Sequence, residues 1–326
     1  MDFTISLEQR QFSESLHDFL RGADTPAAAR AWAGGDHEPG LKLWRDLGEI
    51  GVAALLVPDE FGGLGAGATD AVLAFEALGY HCVPGPVVET AVVAPTLLTG
   101  DDARRWLPEL ATGNEVATVF APPQVPLALD ADIAALTLRI GQDRVDRVDG
   151  ELEPVRSIDP TRRLFRVRGD GVPVSAAGGE PAVDLGTLAV AAQLLGAGRR
   201  LLDLAGEYAK QRHQYGKPIG QYQAIKHLLA DVVTGLELAR PLAYGAAVAA
   251  EAGAGTVTRD VSAAKVAAAD AAYRAARTAL QVHGAIGYTA EHDLGLWLTK
   301  VRALAGAWGS GAVHRRRVLA ALKGDK

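Results

Sequence analysis

A chain of 326 residues has room for two or three structural units around a sizeable core, at the usual size of about 100–200 residues per domain. With 48% hydrophobic and 22% charged residues it is no long disordered protein, and its single cysteine, Cys82, excludes a disulfide framework or a multi-cysteine metal site. A net charge of −6 gives no global basic field for nucleic acid, no apolar run reaches the ~18 residues of a membrane span, and the acidic, amphipathic start is unlike a signal peptide, so a cytoplasmic setting is expected.

Residues 1–115 read as an N-terminal helical domain. Phe12, Leu16, Phe19 and Leu20 recur at helical spacing behind Ser6, a residue suited to an N-cap. A second helix is expected over Thr69–Tyr80, after the cluster Gly62, Gly63, Gly65 and Gly67, and further helical stretches over Pro86–Leu98 and Asp101–Leu110. Residues 116–183 change character. The runs ATVFA, IAALTLRI, DRVDRVDG and RRLFRVRGDG are short, β-prone and separated by turn residues, which predicts a small strand module leaning on its neighbours. Residues 184–326 return to helical periodicity. One stripe runs through Gly198, Leu201, Leu202, Ala205, Tyr208 and Ala209, a second through Ile225, Leu228, Leu229, Val232, Leu236 and Ala239. A third, Val261, Ala264, Ala268, Ala271, Ala275 and Ala279, has side chains small enough for close helix packing. Two shorter helices are expected from His292 and Ser310. The fold class is mainly α with a small β module: helices, strands, then a helical bundle.

Few motifs survive comparison with a plain structural explanation. Gly63-Leu-Gly65-Ala-Gly-Ala68 fits a loose dinucleotide fingerprint, but Pro58-Asp-Glu-Phe intervenes after the apolar run and no βαβ unit follows, so it reads as a glycine loop. Ser310 lacks a nucleophile elbow because Trp308 stands where the first glycine belongs. The eight histidines show no metal-ligand spacing, and Arg315-Arg316-Arg317 reads as a solvated helix face. Two polar clusters remain. In Arg212-His-Gln-Tyr215-Gly216-Lys-Pro-Ile-Gly220-Gln-Tyr-Gln223 an arginine fork and a fresh helix N-terminus follow a glycine turn. In Gln281-Val-His-Gly284-Ala-Ile-Gly287 glycines permit close backbone approach. Residue chemistry leaves both a phosphate-bearing ligand and simple capped interhelical turns open.

These two clusters resemble the FAD-contacting motifs of the acyl-CoA dehydrogenase family. The stretches Glu49-Ile-Gly51-Val-Ala-Ala-Leu-Leu-Val-Pro58-Asp-Glu-Phe-Gly62-Gly63-Leu-Gly65, Ala74-Phe-Glu76-Ala-Leu-Gly79 and Gly287-Tyr-Thr-Ala-Glu-His-Asp293 are similar to that family as well. The resemblance implies an N-terminal helical domain, a middle β-barrel and a C-terminal four-helix bundle. It also implies that Arg212, Tyr215, Gln223, Gln281 and Gly284 bind FAD across a subunit interface, gripping its pyrophosphate and adenine end.

Departures from the family pattern are equally specific. The family's glutamate base lies in a Tyr-Glu-Gly-Thr segment, where this chain has Ala307-Trp308-Gly309-Ser310; an alternative family position falls on Gly186. Neither Trp308 nor Gly186 can take a substrate α-proton. Asp184, Glu291 and Asp293 are the remaining candidates for a base. The middle module is short and lacks the Thr-Glu-Pro and Gly-Ser-Asp elements that help to hold a flavin ring. The resemblance therefore implies a non-catalytic subunit that pairs with a full-length acyl-CoA dehydrogenase subunit acting on a bulky acyl-CoA such as a steroid side chain, with an electron-transfer flavoprotein as acceptor. A self-sufficient dehydrogenase with a relocated base and a flavin-free helical assembly protein are the competing expectations.

Overall fold

The computed structural model describes residues 4–174, 179–289 and 292–324. Helix α1 (Leu7–Gly22) begins where the sequence places a cap: Ser6 Oγ accepts the Gln9 N–H at 3.1 Å and the Gln9 side chain accepts the Ser6 N–H at 3.0 Å. After it come α2 (Thr25–Ala33), α3 (Glu38–Glu49) and α4 (Ala68–Tyr80). The expected Pro86–Leu98 helix is a π-turn over Glu89–Val93 running into the short α5 (Ala94–Leu97), and α6 (Gly100–Ala111) follows. The glycine loop before α4 has no strand leading into it, so the strand–turn–helix context of a dinucleotide fingerprint is not met there.

Among the described residues the middle module contains seven short strands. β1 (Ala117–Phe120), β3 (Leu136–Ile140), β4 (Val145–Val148) and β7 (Gly171–Pro173) form one sheet in the order β1-β3-β4-β7, with β1 and β3 parallel. β2 (Ala128–Leu129), β6 (Leu164–Arg168) and β5 (Glu151–Val155) form a second, antiparallel sheet in the order β2-β6-β5. Phe120, Ala128, Val148 and Phe165 make the small core between the sheets. The module is tied to the helices by a reciprocal pair: Thr90 Oγ1 donates to the Ala117 carbonyl at 2.9 Å and accepts the Ala117 N–H at 3.0 Å.

The C-terminal part comprises α7 (Gly179–Gln211), a hairpin of β8 (His213–Gln214) and β9 (Lys217–Pro218), α8 (Gln223–Glu251), α9 (Val257–His283), α10 (Leu294–Gly306) and α11 (Gly311–Lys323). α7 is the hub, packed against α4, α8, α9 and α10. It passes α4 so closely that a Cβ on Gly196 would stand 1.8 Å from the Glu76 carbonyl oxygen, and one on Gly79 would stand 2.1 Å from that of Gln193. Only glycine permits this crossing. One 18-residue window of α7 has a mean hydropathy of 1.2, enough by length and composition to cross a membrane, which corrects the expectation that no such run exists. Since 89% of that window is buried inside the protein, its apolar surface is taken up by neighbouring helices. The small-residue stripe of α9 is buried throughout, whereas Leu228 in the α8 stripe is exposed and only Val232, Leu236 and Ala239 of that set are buried.

Candidate functional site

Two places collect the residues singled out by sequence. The first is one exposed end of the bundle, where α7 and α9 finish together. Tyr208 on α7 stacks on His283 of α9, ring centroids 4.4 Å apart and nearly parallel, and His292 meets His283 edge-on at 4.8 Å. This contact brings the Arg212 segment and the Gln281–Gly284 segment side by side. Beyond Arg212 the chain turns through Tyr215 (φ 51) and Gly216 (φ 81), two positive φ values that a tight two-residue hairpin requires. Tyr215 is 93% exposed at its tip, an unusual place and conformation for an aromatic residue. Tyr222 fastens the hairpin by donating its hydroxyl to the Gln214 carbonyl at 3.0 Å, with Lys217 Nζ 4.3 Å from its ring centre. Gln223 then opens α8. Arg212, Gln223, Gln281 and Gly284 are all exposed, and the Arg212 guanidinium makes no hydrogen bond or ion pair with the described residues. At Gly284 the backbone (φ 63, ψ −137) is one that only glycine adopts comfortably, with nothing within 4 Å of where a Cβ would stand.

The second place is buried. Trp308 is 2% exposed and sits, at φ 54, between α10 and α11. A Cβ on Gly186 would come within 2.9 Å of the Trp308 ring and of Val93. The two positions to which the resemblance assigns a base are thus one place in space, filled by the indole. The Trp308 Nε1–H donates to Glu89 Oε1 at 3.0 Å, and its carbonyl accepts from His314 Nε2 at 2.9 Å and from the Thr187 hydroxyl at 3.3 Å. Because His314 Nε2 faces a carbonyl it carries the proton, so its Nδ1 accepts from the Ser262 hydroxyl at 3.1 Å. Burial lowers His314 to about 4, keeping this imidazole neutral. Lys265 is also buried nearby, donating to the Leu304 and Ala305 carbonyls at the end of α10 (3.0 and 3.2 Å), and burial followed by the charge of Arg162 lowers its pKa to about 7.

The expected alternative bases are otherwise engaged. Asp184 lies two residues from Gly186, on another face of α7, where Arg317 donates to Oδ1 at 2.7 Å and the Thr258 hydroxyl to Oδ2 at 2.6 Å. Arg317 is therefore no solvated member of its cluster: the carboxylate of a buried aspartate draws it in, while Arg315, paired with Asp270, and Arg316 keep the expected exposed character. Asp293 pairs with Arg30 on the surface. Glu291 lies outside the described residues. The carboxyl group that does stand beside Trp308 is Glu89, 3% exposed, and sequence reasoning passed it over. Its signal was there: one acidic residue in the otherwise apolar run Val87-Val-Glu-Thr-Ala-Val-Val-Ala-Pro95. Burial raises its pKa, opposed chiefly by Arg162.

A helical domain, a small two-sheet module and a bundle whose polar loops meet at one end define a class before any comparison. Comparison with known sequences agrees with it. The descriptions "Acyl-CoA dehydrogenase, N-terminal domain" and "Acyl-CoA dehydrogenase, C-terminal domain" match residues 6–114 and 181–323. The acyl-CoA dehydrogenase IpdE2 of Mycobacterium tuberculosis is 33% identical over 303 residues, which cover 91% of this chain and 92% of that protein. Among solved structures, the ChsE4–ChsE5 complex from Mycobacterium tuberculosis superposes with a TM-score of 0.85 over the whole of both chains at 22% identity. A Tcur3481–Tcur3483 steroid ACAD variant superposes at 0.87, covering 98% of this chain and 99% of that one, at 21% identity. The chain belongs to the acyl-CoA dehydrogenase family.

That family is FAD-dependent, and the exposed loop pair fits part of such a cofactor: a free guanidinium suits a pyrophosphate, and the open Gly284 backbone leaves room for a ligand to approach. When bound, the flavin supplies a hydride acceptor for the substrate's β-carbon. The interior fits less well, since the space beside Gly186 is occupied by Trp308.

Proposed function

We propose that this chain is the non-catalytic subunit of a heteromeric, FAD-dependent acyl-CoA dehydrogenase, and that it completes the flavin site of a full-length partner. The observation that carries this reading is the indole of Trp308 packed into the space that a side chain at position 186 would need. A base at either position has been replaced by interior packing, while Arg212, Tyr215, Gln223, Gln281 and Gly284 stay exposed at a preformed end of the bundle. Arg212 and Gln281 would hold the pyrophosphate and adenine end of the partner's FAD, and Gly284 would let its backbone approach. The two-component names of ChsE4–ChsE5 and Tcur3481–Tcur3483, and the steroid substrate in the latter's description, support a bulky CoA thioester as substrate. An electron-transfer flavoprotein is the proposed acceptor.

One observation favours a second reading. Glu89 is a buried carboxyl group beside Trp308, the one described residue there that a self-sufficient enzyme could use as base. The two readings separate on FAD retention and on Glu89. In the assembled complex Arg212→Ala should weaken flavin binding roughly ten- to a hundredfold, the loss of one charged hydrogen-bonded contact. Glu89→Gln in this chain should leave turnover by the complex intact. Unchanged FAD affinity in a correctly assembled Arg212→Ala complex would remove the flavin-sharing assignment, and loss of turnover in Glu89→Gln would favour the second reading.

A further inference from the structure

Between the strand module and the end of α10 lies a cavity of about 250 Å3, smaller than the ~300–1,000 Å3 of sites for drug-sized ligands. Val125, Leu129 and Leu164 supply its apolar wall on the module side, and Ala303 and Trp308 face them from the helical side. Gln124, Arg156 and Ser157 also border it, as do two further polar groups, Glu89 and Arg162. Glu89 is 3% exposed; its Oε1 accepts the Trp308 N–H, but its Oε2 is buried with no hydrogen-bond partner. A buried polar atom without a partner is costly, and a ligand group that bonds it would relieve that cost. Opposite lies Arg162, half-buried, whose guanidinium forms no hydrogen bond or ion pair with the described residues although its charge reaches Glu89.

Arg162 is not on a loose segment. Lys300 on α10 donates to Thr161 Oγ1 at 2.7 Å and stands 3.6 Å from the buried Asp159 carboxylate. Asp159 Oδ1 in turn accepts the Thr161 N–H at 3.0 Å and its hydroxyl at 2.8 Å. This buried knot fixes the turn that carries the arginine against the helix forming the far wall.

We propose that the cavity binds a small carboxylic acid with an apolar body, its carboxylate held in the fork of Arg162 and one of its oxygens accepting a hydrogen bond from the Glu89 carboxyl group. Burial favours the protonated form of Glu89 that can donate this bond. The ligand's body replaces water against Val125, Leu129 and Leu164, and its charge meets a guanidinium that otherwise lacks a counter-ion. Neither flavin nor a partner subunit enters the argument, so the inference stands or falls separately from the proposed function.

The test is calorimetric titration of the full chain, without added FAD, using cyclohexanecarboxylate as probe and cyclohexanecarboxamide and cyclohexylammonium as controls. Saturable binding of the carboxylate is expected, with the amide at least tenfold weaker and the ammonium not binding. Arg162→Gln should weaken the carboxylate at least tenfold, and because this side chain is half-exposed the variant should fold; its circular dichroism is the check. Glu89→Gln keeps a donor in place and should bind within about threefold of the unaltered chain. No saturable binding at millimolar probe, equal affinity for acid and amide, or unchanged affinity in Arg162→Gln would each overturn the proposal.

Discussion

Trp308 joins three helical segments: its ring packs on Gly186 of α7, its indole N–H reaches Glu89 in the π-turn, and its backbone carbonyl accepts from His314 of α11. Trp308→Ala should therefore destabilise the chain by about 3–5 kcal/mol, from the cavity it opens. Chemical denaturation measures this, and a loss below about 1 kcal/mol would mean that the indole is not load-carrying. Trp308→Glu should not restore dehydrogenation either, since its carboxylate would stand against Glu89 in a buried space. His314 gives the same cluster a pH signature. Burial holds it at about 4 in the folded chain, against about 6.5 when unfolded, so its contribution is complete above 6.5 and is lost progressively as the pH falls toward 4. Across that window one such proton changes the slope by up to about 1.4 kcal/mol per pH unit. Unfolding free energies at pH 7, 5.5 and 4.5 should show a shallower dependence in His314→Gln; an unchanged slope would mean that the folded chain protonates His314 freely.

Among elements, those with a repeating apolar pattern or a good cap were legible. α1 was readable from Ser6 and from Phe12, Leu16, Phe19 and Leu20 at helical spacing, and α9 from its alanine stripe. β5 was not, because Glu151-Leu-Glu-Pro-Val155 has neither β-branched density nor freedom from proline. It forms because it lies at a sheet edge, where Pro154 is tolerated and Glu153 takes both Arg166 and Arg168 of β6 at 2.7 Å. Such cross-strand charge pairing is not visible until the register is known. The paired ends of α7 and α9 carry their own prediction. Gly284→Val should disturb flavin binding or assembly through backbone strain at φ 63, ψ −137, since no neighbour obstructs the added side chain. Gln281→Ala removes a hydrogen-bonding group without strain and should do less. FAD titration of the purified complex ranks the two; equal, negligible effects would reduce the segment to a plain turn.

For the whole molecule, the order of helices, strands and bundle follows from composition shifts along the chain, and the exposed residues of the loop pair follow from recognisable motifs. What the linear order could not show is that positions 186 and 308, more than a hundred residues apart, share one space, or that Glu89 lies beside them. Nor could it show that Asp184 turns away to meet Arg317, since two residues along a helix change the direction of a side chain by roughly 200°. These are facts of packing between segments, and they bear most on function. The account's central claim is that this chain supports a flavin site it does not itself use. The most direct measurement is acyl-CoA oxidation by the purified chain alone, with added FAD and an electron acceptor, compared with the same assay after assembly with a full-length family member. The account predicts no turnover by the isolated chain and robust turnover by the assembly; steady dehydrogenation of an acyl-CoA by the isolated chain would contradict it.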